Sequence, residues 1–108
     1  MKKQWIEALT SGKYLQGEGK LKENNRFCCL GVLCDIVDPL GWSSEAWEGK
    51  DDYCRLKELP YKIGDEFFKV KNSSDSIHSV FGTLASLNDS GTPFKKIAVI
   101  IDDLLEDK

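Results

Sequence analysis

The sequence predicts an α+β fold: a small single domain, mainly helical, with a central buried helix, a C-terminal αα-hairpin and a short β element. Three observations carry this. The run Phe27-Cys28-Cys29-Leu30-Gly31-Val32-Leu33-Cys34-Asp35-Ile36-Val37 is the longest apolar stretch, and charged and glycine-rich segments flank it. Two helical apolar stripes follow each other near the C-terminus, separated by Asn88-Asp89-Ser90-Gly91. Short alternating pieces at Tyr14 to Lys22 and Tyr53 to Leu59 supply the β element.

The 108 residues suit one globular domain, residues 1–108, and a chain of that length buries roughly two thirds of the surface it exposes when unfolded. Lys2 to Thr10 reads as a short helix with Trp5, Ile6 and Leu9 on one face. Ser11-Gly12 stops it, because glycine enters the left-handed conformation at little cost. So short a helix must dock to persist, and Trp5 is its natural anchor. Tyr14-Leu15-Gln16 and Lys20-Leu21-Lys22, separated by Gly17-Glu18-Gly19, suggest a small hairpin or a glycine-rich surface loop. Asn24-Asn25 then makes a turn.

The central run is ambiguous by pattern between helix and buried strand. Its eleven residues exceed the usual buried strand, which favours a helix from Phe27 to Val37. Asp38-Pro39 ends it, since the residue before proline resists helical dihedrals. Leu40 to Asp52 is a loop carrying Trp42 and Trp47, with Ser43 to Trp47 able to form one helical turn. Tyr53 to Leu59 alternates as a strand. Pro60 starts a turn or a short helix through Phe67-Phe68, Phe68 to Lys71 alternates again, and Asn72 to Asp75 is a polar loop. Ser76 caps a helix from Ile77 to Leu87 whose stripe is Ile77, Val80, Phe81, Leu84 and Leu87. Asn88-Asp89-Ser90-Gly91 is a turn. Thr92 caps the last helix, Pro93 takes its first position, and Phe94, Ile97, Ala98, Ile101, Leu104 and Leu105 form its apolar face. Glu106-Asp107-Lys108 frays.

Charge argues against nucleic acid as a partner. The net charge is −3, with 15 basic residues against 18 acidic ones, whereas phosphate binding needs a basic surplus. The segment Gln4 to Leu9 is too short and polar for a signal-peptide core, and no stretch approaches the roughly twenty apolar residues of a membrane helix. A reducing cytoplasm follows as the expected compartment, with the cysteines as buried thiols.

Chemistry-bearing patterns fail one by one. Zinc sites draw on ligand pairs two to four residues apart on tight turns. Here Cys28 and Cys29 are adjacent, Cys34 is off their face and their neighbours are aliphatic, so no metal site is expected. A nucleophilic cysteine needs a partly exposed thiol beside a base, and the sole histidine, His78, lies in a polar helix start. No Cys-x-x-Cys occurs. A phosphate loop requires Gly, four residues, then Gly-Lys-Ser/Thr, but Tyr14 and Leu21 stand at two of those positions around Gly19-Lys20. The carboxylates Asp102, Asp103, Glu106 and Asp107 read as the solvated face of the last helix. They would also repel phosphate if the final helix pair were a DNA-reading helix-turn-helix. No catalytic residue and no cofactor is indicated. Tyr14, Trp42, Trp47 and Tyr53 remain as aromatics that either close the core or stack on a ligand or partner.

Two patches carry a resemblance. The first comprises Trp5, Ala8-Leu9, Ser11-Gly12-Lys13-Tyr14, Gln16-Gly17, Gly19 and Leu21, running into Phe27 to Asp35. The second is Leu84-Ala85-Ser86-Leu87-Asn88-Asp89-Ser90-Gly91, then Phe94 and Ile97-Ala98. In these patches, about half of its length, the chain resembles a family of small uncharacterised proteins from tailed bacteriophages and prophages; Pro39 to Ile77 carries no resemblance. The resemblance implies a phage origin and no catalytic residues, and with it the reducing cytoplasm expected above becomes that of the host. The leading expectation is therefore a non-catalytic binding protein acting on a host protein. The alternative is a small-molecule binder of nucleotide type, using Tyr14, Gln16, Gly17, Gly19 and Lys20 with Asn88 and Asp89. An enzyme of unknown class ranks third.

Overall fold

Helices form where apolar residues recur every three or four positions, and their apolar faces meet in one core. The computed structural model describes residues 1–43, 46–47, 60–71 and 74–108. Helix α1 (Lys2–Thr10) buries Trp5 and Leu9. The Trp5 indole donates to the Cys29 carbonyl at 2.9 Å and lies 5.5 Å from the Phe68 ring and 6.0 Å from the Phe81 ring. Ser11 closes the helix and Gly12 takes φ 79°, as its sequence predicts.

The next segment differs from a simple hairpin. Strand β1 (Leu15–Gln16) pairs in parallel with β3 (Arg26–Phe27), and β2 (Lys22–Glu23) pairs with β3 in antiparallel, giving the order β1-β3-β2. Gly17-Glu18-Gly19 lies in the loop between β1 and β2, the second of the two expected forms, and the hairpin is β2–β3. Its turn is Asn24-Asn25, with φ of 51° and 63°. Positive φ at both central residues gives a tight turn the hand that matches strand twist, and asparagine tolerates it.

Helix α2 spans Cys29–Val37, with Cys29 through Cys34 all buried. It is the expected central helix, packed on α1 and α4 (Ile77–Asp89). It starts two residues later than its apolar run, because Phe27 is taken by β3 and Cys28 becomes the N-cap. The Cys28 thiol accepts from the Gly31 amide at 3.3 Å. Its second constraint is steric: a Cβ at Gly31 would lie 1.8 Å from the Leu21 carbonyl oxygen. The chain leading into β2 therefore lies directly on the first turn of α2.

Strands β4 (Trp42–Ser43) and β5 (Ala46–Trp47) pair antiparallel, Trp42 opposite Trp47. This replaces the helical turn expected at residues 43–47. The strand expected at residues 53–59 lies outside the described residues, as does part of the 72–75 loop. Helix α3 (Tyr61–Phe67) runs straight into β6 (Phe68–Val70). Helix α4 is capped by Ser76, which accepts from the Ser79 amide at 3.0 Å, and continues two residues beyond the expected Leu87. Its last turn buries Asn88, and Leu87 is only half-buried.

Helix α5 (Phe94–Leu104) has Pro93, not Thr92, at its N-cap and lies along α1. Leu105 does not extend its apolar face. The chain instead turns into β7 (Leu105–Asp107), which pairs with β6 through Phe68↔Asp107 and Val70↔Leu105. The expected frayed end is thus a strand, and it also holds the N-terminus. The Asp107 carboxylate accepts from the Lys2 amide at 2.9 Å, which caps α1 and pulls that carboxyl below its usual range.

Gly31→Ala should destabilise the protein by roughly 3 kcal/mol, the upper end of ordinary overpacking costs. Gly82→Ala, where a Cβ meets nothing within 4 Å, should stabilise α4 by roughly 0.5–1 kcal/mol. Denaturant midpoints for the two variants measure both; equal midpoints would contradict the close approach at Gly31.

Candidate functional site

The sequence nominated Gln16, Gly17, Gly19, Asn88 and Asp89 as ligand-facing. The structure brings them together, and they bond to one another. The Asn88 side chain is fully buried. Its Oδ1 accepts from the Cys29 amide at 3.1 Å and from Gln16 Nε2 at 3.0 Å. Its Nδ2 donates to the Gly17 carbonyl at 2.8 Å and, more weakly, to Asp89 Oδ1 at 3.4 Å. A carboxamide offers two donors and two lone pairs, and all four are engaged. Gln16 Nε2 also donates to the Thr92 carbonyl at 2.7 Å, and its Oε1 accepts from the Phe94 amide at 3.1 Å. Asp89 Oδ1 accepts from the Gly19 amide at 2.9 Å.

Two of these bonds explain local sequence oddities. First-turn amides of a helix have no partner inside the helix. Gln16 supplies that partner to α5, and Asn88 supplies it to α2. Thr92 is therefore not needed as a cap, and the Asn88-Asp89 pair belongs to α4 and not to a turn. Lys20 pairs with Glu23 at 2.8 Å. A shallow polar hollow of about 130 Å³ is lined by Gly17, Glu18, Lys20, Glu23, Asn24 and Arg26.

Tyr14 faces elsewhere. Its hydroxyl donates to Asp35 Oδ2 at 2.5 Å, and the Trp42 indole donates to Asp35 Oδ1 at 2.9 Å. Phe27 stands between the two rings, edge-on to Tyr14 at 5.0 Å and to Trp42 at 5.9 Å. The Lys22 ammonium lies 5.4 Å from the Phe27 ring and 5.2 Å from the Trp42 ring. All five side chains are half-buried. Burial, followed by the bond to Asp35 and its negative charge, pushes the Tyr14 hydroxyl well above its ordinary 10.0, so it remains a donor at neutral pH. Sequence reasoning found Tyr14 and Trp42 and missed Asp35, Phe27 and Lys22. The available signal was Asp35 itself, the one charged residue within the apolar run from Phe27 to Val37.

The thiols of Cys28, Cys29 and Cys34 are buried. Burial pushes Cys28 up to about 11 and Cys29 well above 9.0. Both are protonated at neutral pH, while thiol nucleophilicity belongs to the thiolate. Cys29 Sγ also donates to the Leu84 carbonyl at 3.6 Å, so these thiols bond as well as fill space. His78 is exposed, 3.1 Å from Asp65 and stacked on Tyr61 at 4.4 Å. Among the described residues no three His, Cys, Asp or Glu side chains are placed to hold a metal ion, and no helix is long and apolar enough to cross a membrane. A larger concavity of about 430 Å³ runs between α1 and α5, with Ile6, Ala98 and Val99 among its apolar lining and Lys2, Lys3, Lys95, Glu7 and Asp102 among its charged residues.

Fold and site together define a small α+β domain fastened by the carboxamides of Asn88 and Gln16 and bearing an aromatic–carboxylate cluster. The chain belongs to the family described as a domain of unknown function (DUF8296), whose model matches residues 1–105. No curated protein and no solved structure matches it.

Asn88→Ala strands the Cys29 amide and the Gly17 carbonyl and should cost roughly 3 kcal/mol, since each buried unsatisfied group costs about 1–3 kcal/mol. Gln16→Ala should be non-additive with it, with a coupling above roughly 0.5 kcal/mol in a double-mutant cycle. Additive losses in denaturant unfolding would show that the two side chains act separately.

Proposed function

We propose that this protein is a non-catalytic binding protein of phage origin that acts on a host protein in the host cytoplasm. The observation that carries the reading is the aromatic cluster and what surrounds it in the chain. Tyr14, Phe27 and Trp42 stay half-buried, and two large apolar side chains stand open beside them in sequence: Leu15 at 57% and Leu40 at 92% exposure. Tyrosine and tryptophan dominate binding hot spots because they offer large rigid area together with one polar handle. Here Asp35 fixes both polar handles, so the rings are oriented before any partner arrives, which lowers the ordering cost of association.

Phage origin and host location rest on the resemblance in residues 5–35 and 84–98. Three buried thiols suit a reducing compartment. Against catalysis stand the protonated thiols of Cys28 and Cys29 and the pairing of His78 with Asp65. The small-ligand reading has less support. Asn88 has no free polar atom, and the hollow beside it sets Glu18 and Glu23 against Lys20 and Arg26.

Pull-downs from a lysate of the host bacterium should enrich one protein with the wild type and lose it with Trp42→Ala, provided the Trp5 indole resonance shows that variant still folded. No enrichment in repeated pull-downs, or equal capture by the variant, would overturn the proposal.

A further inference from the structure

Lys22 has an unusual setting. No carboxylate among the described residues pairs with it; its ammonium lies over the faces of Phe27 and Trp42, which meet at 71°. Two near-perpendicular rings form two walls of a cage, and the negative potential of an aromatic face attracts a cation. At the edge of the Trp42 wall, in line with its indole N–H, sits Asp35. Among the described residues its two oxygens accept from two neutral donors, Tyr14 Oη and Trp42 Nε1. Among the described residues no ion pair neutralises it. A half-buried carboxylate without a cation and two ring faces occupied by a tethered ammonium make a consistent arrangement.

Register explains how Lys22 comes to lie there. It is the cross-strand partner of Phe27 in the β2–β3 hairpin, so its flexible stem crosses the Phe27 ring and carries the ammonium to Trp42. That stem has four rotatable carbons and, among the described residues, no hydrogen-bond anchor at its end, which makes it easy to displace. A primary ammonium is also strongly hydrated, whereas a guanidinium or an alkylated ammonium sheds water more readily and stacks better on rings.

We infer that Phe27 and Trp42, with Asp35 at the indole edge held by Tyr14, form a cation-recognition site for a guanidinium or alkylated ammonium group, and that Lys22 is its displaceable internal occupant; the Tyr14 ring carries Lys13 instead, at 5.8 Å. This rests on the reading of the aromatic cluster as the contact face and names the chemistry that the face selects. The cation comes either from an arginine or alkylated lysine side chain of a protein partner or from a free small cation.

The test is a titration followed by the Trp42 indole N–H resonance in wild type and in Lys22→Ala. The probes are tetramethylammonium chloride, N-acetyl-arginine amide and a Gly-Gly-Arg-Gly-Gly peptide, with sodium chloride matched for ionic strength. The Trp5 indole resonance, held by its bond to the Cys29 carbonyl, reports that each variant is folded. In Lys22→Ala the Trp42 signal should move saturably, with affinity several-fold above that of wild type, and Asp35→Asn in that background should weaken binding about tenfold or more; Tyr14→Phe provides a milder variant that keeps the ring. Tighter binding of the peptide than of the amino-acid amide assigns the cation to a protein partner, and equal binding assigns it to a small cation; either upholds the site. Shifts no larger than those with sodium chloride, or equal binding by Asp35→Asn, would overturn it. If host-protein capture still depends on Trp42 after that result, only the cation chemistry falls, whereas loss of both removes the contact face as well.

Discussion

The carboxamide of Asn88 is the point on which this fold turns. Burying an amide without partners costs several kcal/mol, and Asn88 escapes that cost by bonding to the Cys29 amide, Gln16 and the Gly17 carbonyl, with Asp89 as a longer fourth contact. Through it the end of α4 is joined to the start of α2 and to the loop after β1. Gln16 extends the network to the start of α5. Two helix N-termini that lack side-chain caps of the usual kind are thereby satisfied from a distance. Apolar packing supplies the bulk of the driving force here as elsewhere, with Trp5, Phe68, Phe81 and the α2 core at its centre. Hydrophobic contact alone, however, does not choose the rotation of a helix, and directional bonds at the helix ends do.

That constraint also decides where a contact face is to be sought. Polar residues clustered around glycines invite a ligand reading, yet here their bonding capacity is directed inward. The small three-stranded sheet has two roles. Its Gln16 belongs to the fastening network, while Phe27, which pairs with Gln16 across β1–β3, belongs to the aromatic cluster with Tyr14 and Trp42. Rings that are preset by Asp35 and left half-open differ in kind from the carboxamides beside them, which are closed. The thiols of Cys28 and Cys29 complete the contrast, since burial keeps both protonated within the core.

What could be read from sequence follows from how local each feature is. Helices α1, α4 and α5 were legible because their apolar stripes, the Ser76 cap and the Gly12 stop are encoded within a few residues. The class α+β, the central helix and the C-terminal helix pair followed from them. The start of α2 was not legible, since a cysteine is not an expected cap and Phe27 is claimed by a strand formed with residues 15–16. Two-residue strands carry no period, so the parallel β1–β3 pairing and the Trp42–Trp47 pairing had no pattern to show, and the β6–β7 pair joins residues nearly forty positions apart. For the site, Asn88-Asp89-Ser90-Gly91 has turn composition, and only tertiary burial turns Asn88 into a bonding hub. Gln16, Gly17, Asn88 and Asp89 meet in one place, while Tyr14 of the same set faces Asp35. Their task there depends on which atoms face which, and that is three-dimensional information. Asp35 stood out only as a lone charge in an apolar run.

Amide hydrogen exchange tests the fastening network most directly. First-turn amides of a helix ordinarily exchange fast, because nothing inside the helix holds them. The Cys29 and Phe94 amides should instead exchange only through global unfolding, with protection matching that of the Leu33 and Ile101 core amides. Exchange of Cys29 and Phe94 as fast as the exposed Lys3 amide in the first turn of α1 would show that Asn88 and Gln16 do not hold the helix ends in solution.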